Sequence, residues 1–265
     1  MALVSRGKTA IVWFMDPICF HVCARPVYWY GVMMALAFLA GIGHWQALGR
    51  RTGQRDVAFA SDLAFWLMVG GIVGARLAYV IANADYFLSA PMEIIRVDQG
   101  GLIFYGGFIG AVLAFIVFAR SRREKVLELA DFAITALPLG HALGRVGCFL
   151  NGCCQGCVVK TPSLLSANLN RYPVQLYEAA FNLVVYAVLT VVYLRRRGQC
   201  HGRVLATYLM LYPAGRFLLE FLRGDERLRW GFFSAAQCLS LALMALGMGL
   251  WIVVQWQHEN DHRTP

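Results

Sequence analysis

Three arginines stand inside segments of the chain that are otherwise apolar: Arg76, Arg145 and Arg216. A guanidinium group that faced lipid would be costly, so an arginine in such a segment normally faces a polar cavity or an ionic partner. Arginine also stays charged at physiological pH and binds phosphate oxygens through two parallel hydrogen bonds. These residues therefore predict a polar cavity for an anion inside an apolar body, and we expect Arg145 and Arg216 to share one pocket.

The spacing of neighbouring polar residues adds detail to this predicted site. Arg216, Glu220 and Arg223 follow one another at intervals of four and three residues, which places them on one face of a helix. Glu220 can therefore orient either arginine, and an ion-pair ladder without a substrate is the alternative. His141 precedes Arg145 by four residues and is a candidate base on the same helical face. A packed, hydrogen-bonded histidine is the alternative there.

The composition places the chain among membrane proteins. Of its 265 residues, 59% are hydrophobic and only 15% are charged, which lies outside the range of ordinary soluble domains. A helix needs about 20 residues to cross ~30 Å of hydrocarbon. Seven apolar segments approach that length: 27–48, 61–83, 101–119, 129–150, 174–194, 203–222 and 234–256. The sequence thus predicts an all-α, polytopic membrane protein, with about seven transmembrane helices around a polar cavity, in a single domain over residues 1–265.

Basic residues predict the orientation of these segments. They cluster after the first and third segments and between the fifth and sixth. Cytoplasmic loops carry the excess of arginine and lysine, so residues 1–26 are expected outside and the tail 257–265 in the cytoplasm. This distribution accounts for the net charge of +9 without a nucleic-acid partner.

Glycine-rich patches lie beside the polar residues of interest. The three patches are residues 70–76, 100–107 and 144–156. Glycine in a membrane helix permits either close helix packing or a loop that approaches a ligand. Each patch also contains one polar residue with a chemical use (Arg76, Tyr105 or Arg145), and this coincidence favours a lined cavity over packing alone.

Four cysteines fall within ten residues: Cys148, Cys153, Cys154 and Cys157. One or more disulfides, free packed thiols and metal ligation are all compatible with this spacing. The predicted external location favours a disulfide. The cluster also leaves open a non-enzymatic or thiol-redox membrane protein.

The chain resembles the prolipoprotein diacylglyceryl transferase family from about residue 26 to residue 245. Several short stretches carry the resemblance through their order and spacing. They are YWYG at 28–31, GARLAYV at 74–80, GGLIFYGGFIG at 100–110, GRVG at 144–147, YPVQLYE at 172–178 and RFLLEFLR at 216–223.

The resemblance implies an enzyme of the bacterial cytoplasmic (inner) membrane, with its site toward the outer face. Such an enzyme transfers the diacylglyceryl group of phosphatidylglycerol to the lipobox cysteine of a prolipoprotein, forming a thioether and releasing glycerol phosphate. No cofactor and no metal are implied. Arg145 and Arg216 are expected to hold the headgroup and the leaving phosphate. The other family-matched cavity residues are Tyr30, Asn151, Gly156, Tyr212, Glu220 and Arg223, and Arg76 completes the predicted substrate-binding set.

Two departures from the family pattern bear on the chemistry. Tyr105 stands where the family usually has a histidine, and an unperturbed tyrosine, with a pKa near 10, is a poor base at neutral pH. Tyr105 and His141 are therefore both candidates for activating the thiol. Cys148 and Cys153 replace an asparagine and a glutamate of the family signature. A diverged member that binds phospholipid but modifies another acceptor, or that has lost activity, is the alternative.

Overall fold

The structure is a computed structural model that describes residues 17–23, 25–97, 100–158, 171–196, 201–224 and 229–261. A hairpin of β1 (Ile18–Val22) and β2 (Arg25–Tyr28) leads into α1 (Trp29–Thr52). Next come α2 (Val57–Ala82), α3 (Ala84–Ser89), a 3₁₀ turn (Pro91–Ile95) and α4 (Phe104–Ser121). The following helices are α5 (Val126–Ile134), α6 (Leu137–Leu150), α7 (Val174–Arg196) and α8 (Arg203–Leu219). A 3₁₀ turn (Glu220–Leu222), the hairpin β3 (Arg229–Trp230) and β4 (Phe233–Ser234), and α9 (Ala235–Asp261) complete the described chain.

Six helical stretches among the described residues are long and apolar enough to cross a membrane. They are α1, α2, α4, the consecutive α5 and α6 taken together, α7 and α9. Many large apolar side chains on these helices face outward, for example Ile81 (74% exposed) and Leu246 (60% exposed). Such surfaces suit lipid and would be unfavourable in water. The predicted all-α, polytopic membrane fold is confirmed.

The seventh predicted span and the orientation stay predictions. The segment predicted at 203–222 corresponds to α8, which has 17 residues and contains Pro213, followed by the 3₁₀ turn. α8 is not among the six stretches. The described chain divides into two compact units, residues 44–129 and the described parts of 1–43 and 130–265.

In the unit of residues 44–129, α2 and α4 cross closely along glycines. A Cβ atom on Gly74 would lie 2.4 Å from the Gly106 carbonyl oxygen, and one on Gly110 would lie 2.2 Å from the Gly70 carbonyl oxygen. No side chain fits at those distances, so the glycines allow the two backbones to touch. The sequence pattern favoured a lined cavity here, whereas the structure shows close helix packing for these glycines of the first two patches.

In the other unit, one contact with α5 and one with α7 position α8. The Asp131 carboxylate accepts hydrogen bonds from the backbone N–H groups of Gly202 (2.7 Å) and Leu205 (2.8 Å), which fixes the start of α8. A Cβ atom on Gly215 would lie 2.1 Å from Cε1 of Phe181, so a glycine is needed where α8 meets α7. Arg216, the next residue, is thereby brought to the side of α7 that carries Glu178.

Candidate active site

A cluster of ion pairs joins α6, α7 and α8, and we call it the arginine cluster: Arg145, Arg216, Arg223, Glu178 and Glu220. Glu178 is its centre. Its carboxylate lies 2.7 Å from Arg145 Nε, 3.5 Å from Arg216 Nε and 3.7 Å from Arg223 Nη1. Arg216 Nη1 also lies 2.7 Å from Glu220. The structure thus brings Arg145 and Arg216 to one shared carboxylate, as expected.

The arginine cluster is buried and carries a net positive charge. The side chains of Glu178 and Arg223 are only 3% and 4% exposed. Three arginines against two glutamates leave one positive charge. Charges taken out of water are tolerated when opposite charges and hydrogen bonds surround them. A surplus cation at this depth is therefore best matched by an anionic ligand.

Glu220 is held in place from a second direction. The Ser234 hydroxyl donates a hydrogen bond of 2.8 Å to its carboxylate, and the Ser234 backbone N–H donates to the Gln237 side-chain oxygen at 2.9 Å. These contacts come from β4 and the start of α9. The Arg216–Glu220 pair predicted from helical spacing is confirmed, and it is fixed by groups distant in the sequence.

Arg145 is the most exposed member of the three arginines, at 18% of its side chain. Its Nε atom donates a hydrogen bond of 3.3 Å to His141 Nε2 and faces Glu178. The His141 ring lies 5.2 Å from the Tyr212 ring, which stacks on Tyr208 at 5.3 Å. His141 and Tyr212 therefore form a wall beside Arg145 and orient its guanidinium group.

Two predicted residues support the cluster through the backbone. A Cβ atom on Gly156 would lie 2.7 Å from the carbonyl oxygens of both Tyr172 and Leu222. The Gly156 N–H donates to Tyr172 O at 3.0 Å, and this tight crossing fixes the segment that ends at Arg223. Asn151 caps α6, where its N–H donates to Gly147 O at 2.9 Å.

Tyr30 lies in the first turn of α1, in the same compact unit as the arginine cluster. A Cβ atom on Gly147 would lie 3.0 Å from Met33 Cβ and 3.5 Å from Tyr30 Cα, so α6 packs directly on the first turns of α1. The glycine in the GRVG stretch therefore allows α1 to approach α6 close to Arg145. Tyr30 is 44% exposed.

Arg76 and Tyr105 lie in the unit of residues 44–129. The Arg76 guanidinium donates to four backbone carbonyls: Glu93 (2.6 Å), Ile94 (2.8 Å), Gly100 (3.0 Å) and Gly101 (3.1 Å). It also lies over the rings of Tyr79 and Phe87. These contacts tie a loop to α2. Tyr105, in the first turn of α4, is 71% exposed.

The seven cysteines in the described part of the chain are free thiols. The Sγ atoms of Cys148, Cys153 and Cys154 all lie within 4.8 Å of one another. Burial, together with the neighbouring Cys154 thiol, raises the pKa of Cys153 to about 12. Cys157 is directed elsewhere, since its thiol donates to the Arg223 carbonyl oxygen at 3.0 Å.

Glu178 is the residue that the sequence reasoning missed. It is the one acidic residue of α7, and Asn182 and Gln175, both buried, lie on either side of it. An acid inside an apolar span is as costly as an arginine and calls for a cationic partner. That signal could have called for a cationic partner of Glu178, but it does not select a particular arginine.

The fold and this site together define a polytopic membrane protein with a buried, net cationic cluster. The model of the prolipoprotein diacylglyceryl transferase family matches residues 17–253, and the chain belongs to this family. A phosphatidylglycerol–prolipoprotein diacylglyceryl transferase of Geobacillus kaustophilus is 36% identical over 254 residues, which cover 90% of this chain and 92% of the relative. The protein of the same name from Clostridium tetani is 30% identical over 243 residues, which cover 88% of this chain and 96% of the relative.

Proposed function

We propose that this protein transfers the diacylglyceryl group of phosphatidylglycerol to the cysteine thiol of a prolipoprotein. The observation that carries the proposal is the convergence of Arg145, Arg216 and Arg223 on the single carboxylate of Glu178. The family and the names of the relatives agree with it. The cluster is a buried cationic site among membrane helices, which suits the phosphate of a phospholipid.

The chemical step of this reaction adds negative charge to the phosphate. The acceptor sulfur, as a thiolate, attacks the carbon of the diacylglyceryl group that bears the phosphate. The C–S bond forms as the C–O bond breaks, and the bonding pair leaves with glycerol phosphate. The phosphate thus gains a negative charge during the step. Fixed arginines that meet this charge in a dry site stabilise the transition state more than the ground state.

The arginine cluster divides this work among its members. Arg145 is oriented through Nε by Glu178 and His141, which directs its outer nitrogens to the substrate. Arg216 is held by Glu178 and Glu220 and supplies a second fork. Five further residues shape the surrounding walls and hold these arginines in place: Tyr30, Tyr212, Asn151, Gly156 and Arg223.

Tyr105 and His141 are the two candidate acceptors of the thiol proton. His141 accepts a hydrogen bond from Arg145 through Nε2, so that lone pair is occupied and the residue serves to position Arg145. Tyr105 is exposed at the start of α4 and remains a candidate proton acceptor. If Tyr105→Phe and His141→Ala enzymes both keep full activity, neither residue activates the thiol.

We place the protein in the bacterial cytoplasmic membrane with this site toward the outer face. The distribution of basic loops supports that orientation. Prolipoproteins then reach the site after export. Alkylation of exposed single cysteines in intact cells with a membrane-impermeant reagent would test the orientation. Labelling of Cys23 from outside is expected, and labelling only after lysis would contradict it.

A transfer assay tests the function directly. The purified protein in detergent is given phosphatidylglycerol labelled in its acyl chains and a peptide with a lipobox cysteine. Label should move to the peptide as a thioether, with release of glycerol phosphate. The matched peptide with serine in place of cysteine should stay unlabelled. Thermal unfolding checks that the purified protein is folded. If folded protein fails to label the cysteine peptide, the proposal is refuted.

A further inference from the structure

The thiol cluster, made of Cys148, Cys153 and Cys154, has the geometry of a metal-binding site. Its three Sγ atoms lie within 4.8 Å of one another, and those of Cys153 and Cys154 are 3.5 Å apart. Sulfur atoms bound to one zinc ion at about 2.3 Å in tetrahedral geometry lie about 3.8 Å apart. Small side-chain movements would therefore bring all three sulfurs onto one ion.

The backbone already holds the three thiols together. Cys148 lies in the last turn of α6, and its carbonyl oxygen accepts a hydrogen bond of 3.1 Å from the Cys153 N–H. The Cys153 carbonyl in turn accepts from the side-chain amide of Gln175, on α7. Cys154 adopts a left-handed backbone conformation with φ of 63°, which is uncommon for a residue with a side chain. These contacts place Cys153 next to Cys148 and tie the loop to α7.

The charges around the cluster favour a metal bound by thiolates. Three thiolates and one divalent ion sum to a single negative charge. Cys148 follows Arg145 by three residues on α6, so the two side chains lie on one face of the helix and the guanidinium can act as a counter-charge to this complex.

The thiol cluster leaves one coordination position of a tetrahedral ion open for an external ligand. Among the described residues, the cluster holds three ligand atoms within the stated distance. Cys157 is the next cysteine in the loop, but its thiol is bound to the Arg223 carbonyl oxygen. Zinc sites with three protein ligands keep their fourth position for water or substrate, whereas structural sites are closed by four.

We propose that Cys148, Cys153 and Cys154 bind one thiophilic divalent ion such as Zn²⁺, and that the open position takes the thiol of the acceptor peptide. The second part rests on the proposed function. Binding of the ion releases the three cysteine protons, and coordination of the acceptor thiol releases its proton to water. The bound sulfur then attacks the glycerol carbon, and the C–O electron pair leaves on the phosphate held by Arg145. No oxidant or reductant is needed.

Cobalt substitution tests the site without using activity. The full chain, purified in detergent under reductant and freed of metal, is titrated with Co²⁺. One ion per chain should bind with thiolate-to-cobalt absorption in the near ultraviolet, and Zn²⁺ should displace it. Cys153→Ser and Cys154→Ser should weaken binding roughly tenfold or more, since a lost ligand costs at least as much as a lost outer contact.

Cys157→Ser is the matched control. Its hydroxyl can still donate to the Arg223 carbonyl, so cobalt binding should equal that of the parent chain. Both loop variants leave α6 intact, and their thermal unfolding in detergent reports whether they fold. Absence of the thiolate band, an equal band in Cys153→Ser, or a disulfide between two of the three cysteines in protein isolated without reductant would each overturn the proposal.

The open position is tested with the acceptor peptide. A lipobox peptide with cysteine should shift the cobalt absorption, and its serine counterpart should not. Two outcomes separate this proposal from the proposed function. Transfer at full rate by metal-free protein would refute the metal step and leave the transferase standing. Cobalt binding by a protein that transfers no lipid would support the metal site and refute the transferase.

Discussion

Arg76 and Arg145 both stand in apolar helices, yet the structure gives them opposite surroundings. Arg76 is 8% exposed and donates to four backbone carbonyls. Arg145 contacts an ionised partner through Nε and keeps 18% of its side chain exposed. Neutral carbonyls saturate the guanidinium of Arg76 and tie down a loop, whereas Arg145 is oriented and still accessible. The partners of an arginine, and not its apolar neighbours in sequence, separate a structural role from a role in binding.

The largest effect is expected for Arg145→Ala. Loss of a group that meets charge in the transition state should lower kcat/KM for phosphatidylglycerol about 10²- to 10³-fold. Arg145→Lys keeps the charge but loses the planar guanidinium group that binds phosphate through two hydrogen bonds. Its rate should therefore fall between those of the parent and the alanine variant. The transfer assay measures both. Alanine and parent enzymes of equal rate would remove Arg145 from the mechanism.

Glu178→Gln tests the centre of the arginine cluster. The amide keeps the shape of the side chain but leaves three arginines without their shared carboxylate, which should lower the free energy of unfolding by about 3 kcal/mol. Thermal unfolding in detergent measures the change. Glu259→Gln makes the same chemical change on an exposed residue and should shift stability by less than about 0.5 kcal/mol. Equal effects of the two variants would mean that Glu178 does not hold the cluster.

Arg76→Gln tests whether Arg76 has a structural role and no role in binding. Several backbone carbonyls would lose their donor, so the free energy of unfolding should fall by about 2 kcal/mol. Transfer per folded molecule and KM for phosphatidylglycerol should stay near those of the parent. A raised KM at unchanged stability would instead support the substrate-binding role predicted from the sequence.

Gly74→Ala should have a smaller effect, confined to packing. The added Cβ would lie 2.4 Å from the Gly106 carbonyl oxygen, and overpacking of this kind costs about 1–2 kcal/mol. Gly249→Ala in α9 is the control, because nothing lies within 4 Å of its added Cβ and alanine favours helix. An equal fall of the unfolding temperature in both variants would show that the α2–α4 crossing is not specifically tight.

Much of this fold could be predicted from the sequence because hydropathy reports helices directly. Helical spacing predicted the Arg216–Glu220 pair and the contact of His141 with Arg145. The role of Glu178 could not be obtained that way, because it depends on how three helices pack. The carbonyl partners of Arg76 could not be predicted either, since every residue has a carbonyl and its direction is set by the loop.

The central claim is that the arginine cluster holds the phosphate of the lipid. An experimental structure of the full chain with a phosphonate analogue of phosphatidylglycerol, which cannot release its headgroup, tests it most directly. The account predicts phosphonate oxygens within hydrogen-bond distance of the Arg145 guanidinium, with Arg216 as the second donor. A headgroup bound elsewhere, with Arg145 and Arg216 still engaged only with Glu178 and Glu220, would contradict it.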